Sequence, residues 1–176
     1  MSHLTAEDII QELKLMPHPE GGYYREVYRS SEQVTHPEGP ASEDDSAQRA
    51  AMTSIYFLLE KGDYSTFHRV RQDETWNLYL GGPLELHLIS QHGAYSKQIL
   101  GYDLGAGYEP QLTVPGNSWQ AARPAPWVEW ALVGCKVAPG FDFADFRIAH
   151  RRELLLCYPE HEKIVCELTR DNKVRS

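Results

Sequence analysis

One stretch of the chain brings together an imidazole and a carboxylate in a pattern that reads as strand, turn, strand. It runs Gly62-Asp63-Tyr64-Ser65-Thr66-Phe67-His68-Arg69-Val70-Arg71-Gln72-Asp73-Glu74-Thr75-Trp76-Asn77-Leu78. Side chains alternate between the faces of a strand, so His68 and Val70 share one face. After a turn at 71–73, Glu74, Trp76 and Leu78 share a face on the returning strand. If the apolar members point inward, His68 and Glu74 stand side by side in an apolar cavity, with Trp76 as a wall. Such a pair can bind a divalent metal or move a proton. The alternative is a buried histidine that Glu74 merely satisfies.

The elements that would position this pair are short strands. After 52–59, β-rich segments recur at 67–71, 75–80, 84–90, 96–103, 111–114, 128–137 and 141–149. Lys61-Gly62-Asp63, Gly81-Gly82-Pro83, His92-Gly93 and Pro115-Gly116-Asn117 punctuate them. Strands at such intervals, with no helices between, predict an all-β antiparallel sandwich or barrel. Ahead of them, Thr5 reads as an N-cap with Glu7 and Asp8 in the first turn, and Ile9, Ile10, Leu13 and Met16 follow helical spacing. That predicts a short helix over 6–14, ended by Pro17 and Pro19. Tyr23 to Arg29 alternates as a first strand. Residues 151–157 and 160–168 carry helical spacing on either side of Pro159, a helical tail outside the barrel. Residues 30–48 are polar, with two prolines and no aromatic anchor; partial disorder is expected, with a lid as the alternative. The whole chain, 1–176, reads as one domain.

Composition narrows the function. A chain of 176 residues can bury a core that needs no disulfide or structural metal. A net charge of −8 repels phosphate backbones, so nucleic acid is not an expected partner. Three cysteines, odd in number and without metal-ligand spacing, suggest a reducing compartment. No leader is expected ahead of the first helix and no apolar run is long enough for a membrane span, so the expected location is cytoplasmic.

The segment around His68 resembles motif 1 of the cupins, in which Gly, a His-x-His pair, a Glu and a closing Gly recur at these intervals; Val70 stands where the second His belongs. Pro115-Gly116-Asn117-Ser118-Trp119-Gln120 takes the place of motif 2, a Pro-x-Gly turn followed by a His. Asn117 suits a left-handed turn position, and Gln120 replaces the histidine. Pro17-His18-Pro19-Glu20-Gly21-Gly22-Tyr23-Tyr24-Arg25-Glu26, Asp73-Glu74-Thr75-Trp76 and Val137-Ala138-Pro139-Gly140-Phe141-Asp142-Phe143 are similar to the cupin-5 branch, formerly a domain of unknown function. The resemblance implies a double-stranded β-helix, or jelly-roll barrel, often dimeric and related in shape to sugar-nucleotide epimerases and seed storage proteins. It brings no established reaction.

Three functions follow from the resemblance. The first is a metal-independent epimerase or isomerase of a sugar or sugar nucleotide. There His68 would be the base, oriented by Glu74, or by Asp142 or Asp145 if they lie closer, and Tyr23, Tyr24, Tyr56 or Tyr64 would return the proton. The second is a cupin that binds a metabolite without turning it over. The third is a weakly metal-dependent enzyme with His68, Glu74 and Gln120 as an incomplete ligand set. Gln120, Trp76, Trp119, Arg69 and Tyr24 are the expected ligand-binding neighbours. Arg25, Arg69, Arg71 and Arg123 are the basic residues expected nearest the mouth, either clamping a phosphate or carboxylate or lying solvated at strand edges. The His18-Pro19-Glu20-Gly21-Gly22 segment reads as a tight structural corner, with glycine for positive φ; the alternative is that His18 and Glu20 edge the pocket or a partner's pocket. Glu129 reads as an outward carboxylate, and His87 and His92 as exposed. A homodimer with the N-terminal strand region at its interface is expected, because a jelly roll leaves sheet edges to cover.

Overall fold

A computed structural model describes residues 4–170; the part of the single-domain reading that covers 1–3 and 171–176 lies outside them. Helix α1 spans Ala6–Leu13. Thirteen strands follow: β1 Met16–Pro17, β2 Tyr23–Arg29, β3 Gln33–Thr35, β4 Gln48–Ala50, β5 Thr53–Glu60, β6 Ser65–Val70, β7 Asp73–Gly81, β8 Leu84–Ile89, β9 Tyr95–Leu100, β10 Gln111–Val114, β11 Trp119–Pro124, β12 Trp130–Ala138 and β13 Phe146–Ile148. Helices α2, Arg151–Cys157, and α3, Glu162–Glu167, close the described chain. None of the described helices is long and apolar enough to cross a membrane.

Two antiparallel sheets make the barrel. One runs β1-β2-β5-β12-β7-β10 and the other β13-β6-β11-β8-β9, while β3 and β4 pair as a separate ribbon. This is an all-β jelly roll with a short leading helix and a helical tail. Period-two alternation explains the layering. On β5, Phe57 and Leu59 join Trp76, Leu78, Leu86 and Val133 between the sheets, whereas Leu58 faces out against Ile9 and Leu15 of the α1 region. On β11, Ala122 faces in; Trp119 and Ala121 face out against Leu154 of α2 and Val165 of α3. Each terminal helix is thus held by the outer face of a different sheet. The Thr5 cap forms as expected: the Thr5 hydroxyl accepts from the Asp8 N–H, and the Asp8 carboxylate accepts from the Thr5 N–H.

Several expectations change. Residues 71–73 do not close a hairpin. They carry the chain from one sheet to the other, so β6 and β7 are not paired and His68 and Glu74 reach the interior from opposite walls. The segment 141–149 is a 3-10 turn, Phe143–Asp145, followed by the short β13. Strand β11, read only as part of a turn motif, is central in its sheet. Most consequentially, 30–48 is ordered rather than disordered. Its ribbon is tied down by Arg49, which donates to Asp45 (2.6 Å) and, through two nitrogens, to Asp145 (2.7 and 3.0 Å). Arg71 donates to Glu38 at 3.2 Å and to Asp145 at 3.1 Å. His36 is buried within the segment, its Nδ1 accepting from the Glu38 N–H. Ion pairs anchor a stretch that has no aromatic anchor.

Candidate functional site

A cavity of about 410 Å³ opens between the sheets. Its floor is formed by His68, Glu74, Glu20 and Cys135, all buried; its wall includes His18, Tyr24, Phe141 and Phe146; Glu26, Arg29, Asp142 and Phe143 stand exposed at the mouth.

His68 is held by β6, the second-to-last strand of its sheet. Its Nδ1 lies 2.8 Å from the Thr66 carbonyl oxygen. A carbonyl can only accept, so Nδ1 carries the proton and Nε2 keeps a lone pair. That lone pair faces Glu20, whose Oε2 is 3.4 Å away. The Ser65 hydroxyl donates to the other Glu20 oxygen at 2.8 Å. Burial pushes the Glu20 carboxyl up to about 8, against the Ser65 bond, and pushes His68 down. The favoured state near neutrality is a carboxylic acid beside a neutral imidazole.

Glu20 arrives from outside the barrel, on the turn between β1 and β2. Gly21 and Gly22 there have φ of 112° and 68°, and a Cβ on Gly21 would lie 2.2 Å from the Tyr64 carbonyl oxygen. Only glycine meets both demands. The Glu20 carbonyl accepts from the Thr66 N–H at 2.8 Å, which pins the turn to β6 beside His68. The corner is therefore structural, as expected, and it also delivers His18 and Glu20 to the cavity, which was the alternative reading. His18 accepts from the Glu20 N–H at Nδ1 (3.2 Å) and packs edge-on to Tyr24 at 4.5 Å. Burial lowers its pKa to about 3, so it is neutral. The one signal for this pair was a His-x-Glu spacing inside a segment of turn formers.

Glu74 enters from β7 on the opposite wall. Burial raises its carboxyl to about 7, opposed by a hydrogen bond from Gln120. Gln120 sits on β11 directly opposite His68 in register. Its Nε2 donates to Glu74 at 2.5 Å, and its Oε1 accepts the Trp76 indole N–H at 3.0 Å. Both ends of this amide are engaged, so Gln120 positions Glu74 and does not line the cavity.

Other expected neighbours lie elsewhere. Trp76 is core, its ring edge-on to Phe57. Trp119 faces outward under the guanidinium of Arg69, 4.8 Å from its ring. Trp76, Trp119 and Arg69 are thus corrected as ligand contacts, while Tyr24 does line the cavity. Of the four tyrosines considered, Tyr23 and Tyr56 pack against the α1 region and Tyr64 against the tail. Asp142 is at the mouth, and Asp145 is committed to Arg49, Arg71 and Gln72. Glu129 is exposed and paired with Lys61, as expected. His87 is buried rather than exposed, with Nδ1 2.9 Å from the Tyr95 hydroxyl.

The donor set does not fit a divalent metal. Val70 replaces one imidazole of the motif, and the Gln120 amide is spent on Glu74 and Trp76, which leaves only His68 and Glu74 of the expected ligand set. Among the described residues no three His, Cys, Asp or Glu side chains converge as metal ligands. The arrangement is one for holding and moving protons.

The chain is similar over nearly its whole length to two solved structures. A hypothetical protein from Leishmania major is 36% identical, with a TM-score of 0.88 over 96% of this chain and 100% of that one. Protein SO0799 from Shewanella oneidensis is 38% identical, with a TM-score of 0.85 over 97% and 100%. The uncharacterized yeast protein YML079W, from Saccharomyces cerevisiae, is 29% identical over 148 residues, covering 80% of this chain and 73% of its own. Oxalate decarboxylase from Bacillus subtilis shares the fold at 16% identity and a TM-score of 0.52, over 89% of this chain and 37% of that one. Residues 7–149 match the family model described as "Cupin superfamily (DUF985)", and the chain belongs to that family, Cupin_5.

Proposed function

We propose that the protein is a metal-independent acid–base enzyme that epimerises or isomerises a small carbonyl compound of sugar size. The observation that carries this reading is the His68 tautomer: Nδ1–H bound to the Thr66 carbonyl leaves Nε2 as a base, with the Glu20 acid against it. A substrate carbonyl that takes the Glu20 proton frees Nε2 to remove the proton on the neighbouring carbon. The C–H electron pair then forms the carbon–carbon double bond of an enol, and His68 becomes an imidazolium. Glu74, from the opposite wall and held by Gln120, returns a proton to the other face of that carbon, while Glu20 takes back the enol proton. His68 and Glu74 then re-equilibrate with solvent. Buried carboxyls that stay protonated near neutrality suit this task.

The test is solvent hydrogen exchange. Aldoses, ketoses and small keto acids incubated with the protein in deuterium oxide are followed by NMR. Deuterium entering next to a carbonyl, and slowed about a hundredfold or more by His68→Asn, supports the reading. Ligand binding without any exchange leaves a cupin that only holds its metabolite. We further infer that the protein works as a homodimer joined through its N-terminal strands.

A further inference from the structure

The cavity discriminates by charge, and the choice is visible in where the cations are not. Arg25 lies over the Tyr56 ring, and Arg69 over Trp119. Arg71 is held by Glu38, Gly39 and Asp145, and Arg123 by Glu85 and Glu167. None of the four lines the cavity. The one arginine that does, Arg29, spends Nε and one Nη on the two oxygens of Glu26, at 2.9 and 2.8 Å, and that same Nη also on the Phe141 carbonyl. A phosphate entering here finds no uncommitted guanidinium fork, and it meets Glu26 and Asp142 at the mouth. Desolvating a dianion without compensating donors is strongly unfavourable.

The lining is suited to the opposite charge. Phe141, Phe143 and Phe146 form a cluster of mutually edge-on rings, 5.0 to 5.9 Å apart, with Tyr24 further along the wall. Aromatic faces attract an organic cation as it leaves water. Beyond them lie two floor carboxyls, Glu20 and Glu74, that can balance a positive charge by giving up a proton.

We propose that the cavity takes a small amine-bearing, phosphate-free molecule, whose ammonium passes the Phe141–Phe143–Phe146 collar and settles against the Glu20 and Glu74 carboxyls. This names the substrate class of the site proposed above and rests on that reading for any chemistry, but not for binding. The amine converts one floor acid to its carboxylate, so binding releases a proton to the buffer; in turnover the ammonium lying against that carboxylate gives a proton back to it.

Three probes on one scaffold separate the alternatives: glucosamine, glucose and glucose 6-phosphate, each titrated calorimetrically at neutral pH in two buffers of different ionisation enthalpy. Glucosamine is expected to bind at least about tenfold more tightly than either other sugar, with proton release. Glu20→Gln and Glu74→Gln are each expected to weaken it about tenfold and to reduce the proton release. Phe143→Ala, at an exposed position where folding is not at stake, is expected to weaken glucosamine severalfold. Tighter binding of glucose 6-phosphate, no preference for the amine, or amine binding indifferent to all three substitutions would each overturn the proposal. Amine binding with no carbon-bound exchange would sink the proposed reaction and leave this inference standing. Exchange confined to a phosphorylated sugar would do the reverse.

Discussion

Burying Glu20 and Glu74 keeps their protons on at a pH where exposed carboxyls have lost them, and that ties stability to pH. Unfolded, both titrate near 4.5; folded, near 8 and 7. Between those values the unfolded chain binds fewer protons than the native one, so stability falls as pH rises through the window. The neutral histidines act on the other side. His18 and His87 titrate near 6.5 when unfolded but near 3 and 4 when folded, so their contribution is lost as pH falls below 6.5. The melting temperature is therefore expected to drop from pH 6 to pH 9, and to drop less in Glu20→Gln; equal drops in thermal melts would show that the Glu20 carboxyl is not held protonated. At this scale His68 and Glu74 were legible in the sequence, because strand alternation and a local turn are enough to send them inward. Glu20 was legible only as an alternative edge of the pocket, because its contact with His68 depends on a turn from outside the barrel docking on β6. Gln120 was legible as a substituted position but not as a brace, since its role depends on cross-barrel distances to Glu74 and Trp76.

Among the elements, the β3–β4 ribbon and the 3-10 turn at Phe143–Asp145 behave as one unit. The Asp145 carboxylate accepts from Arg49, Arg71 and Gln72, and its pKa stays low despite burial because those donors outweigh desolvation. Truncating it leaves the buried Arg49 with Asp45 as its one carboxylate partner and strips its Nε of an acceptor. Asp145→Ala is expected to cost about 3–5 kcal/mol in denaturant unfolding, and to expose the ribbon to proteolysis before the barrel unfolds. A loss below about 1 kcal/mol would mean that solvent already screens the cluster. The sequence showed 30–48 only as polar and proline-bearing, which fits disorder and a charge-anchored ribbon equally; the decisive partner, Asp145, is nearly a hundred residues from Arg49 (|i−j| = 96). Strand β11 was hidden for a related reason: Trp119, Gln120 and Arg123 read as motif residues, and the alternation that sorts them between two cores appears only once both faces are seen to be covered.

For the whole molecule, the fold class was the most legible feature. Turn residues at regular spacing mark an antiparallel sandwich or barrel without any long-range information, and the cupin resemblance narrows it to a jelly roll, whereas the crossing at 71–73 between sheets needed the assembled barrel. Assembly beyond one chain remains our proposal, and the surface offers it a place. Met16, Val27 and Tyr28, on the β1–β2 side of the larger sheet, are exposed. Sedimentation equilibrium at micromolar concentration is expected to give twice the chain mass, and Tyr28→Glu to shift the mass toward the monomer; a monomer in the unmodified protein would refute the pairing.

The turn that carries Glu20 has one more consequence. On the function proposed above, the barrel motif supplies the base, but the acid comes from a segment ahead of it, pinned by the Thr66 N–H and by the Gly22 N–H on Asp63, which Arg170 in turn holds from the far end of the described chain. A jelly roll that closed without its leading strands would be a finished shell with an unarmed histidine. The Gly21–Gly22 turn and Arg170 meet at this latch, so loosening either one is expected to disturb the contact between Glu20 and His68.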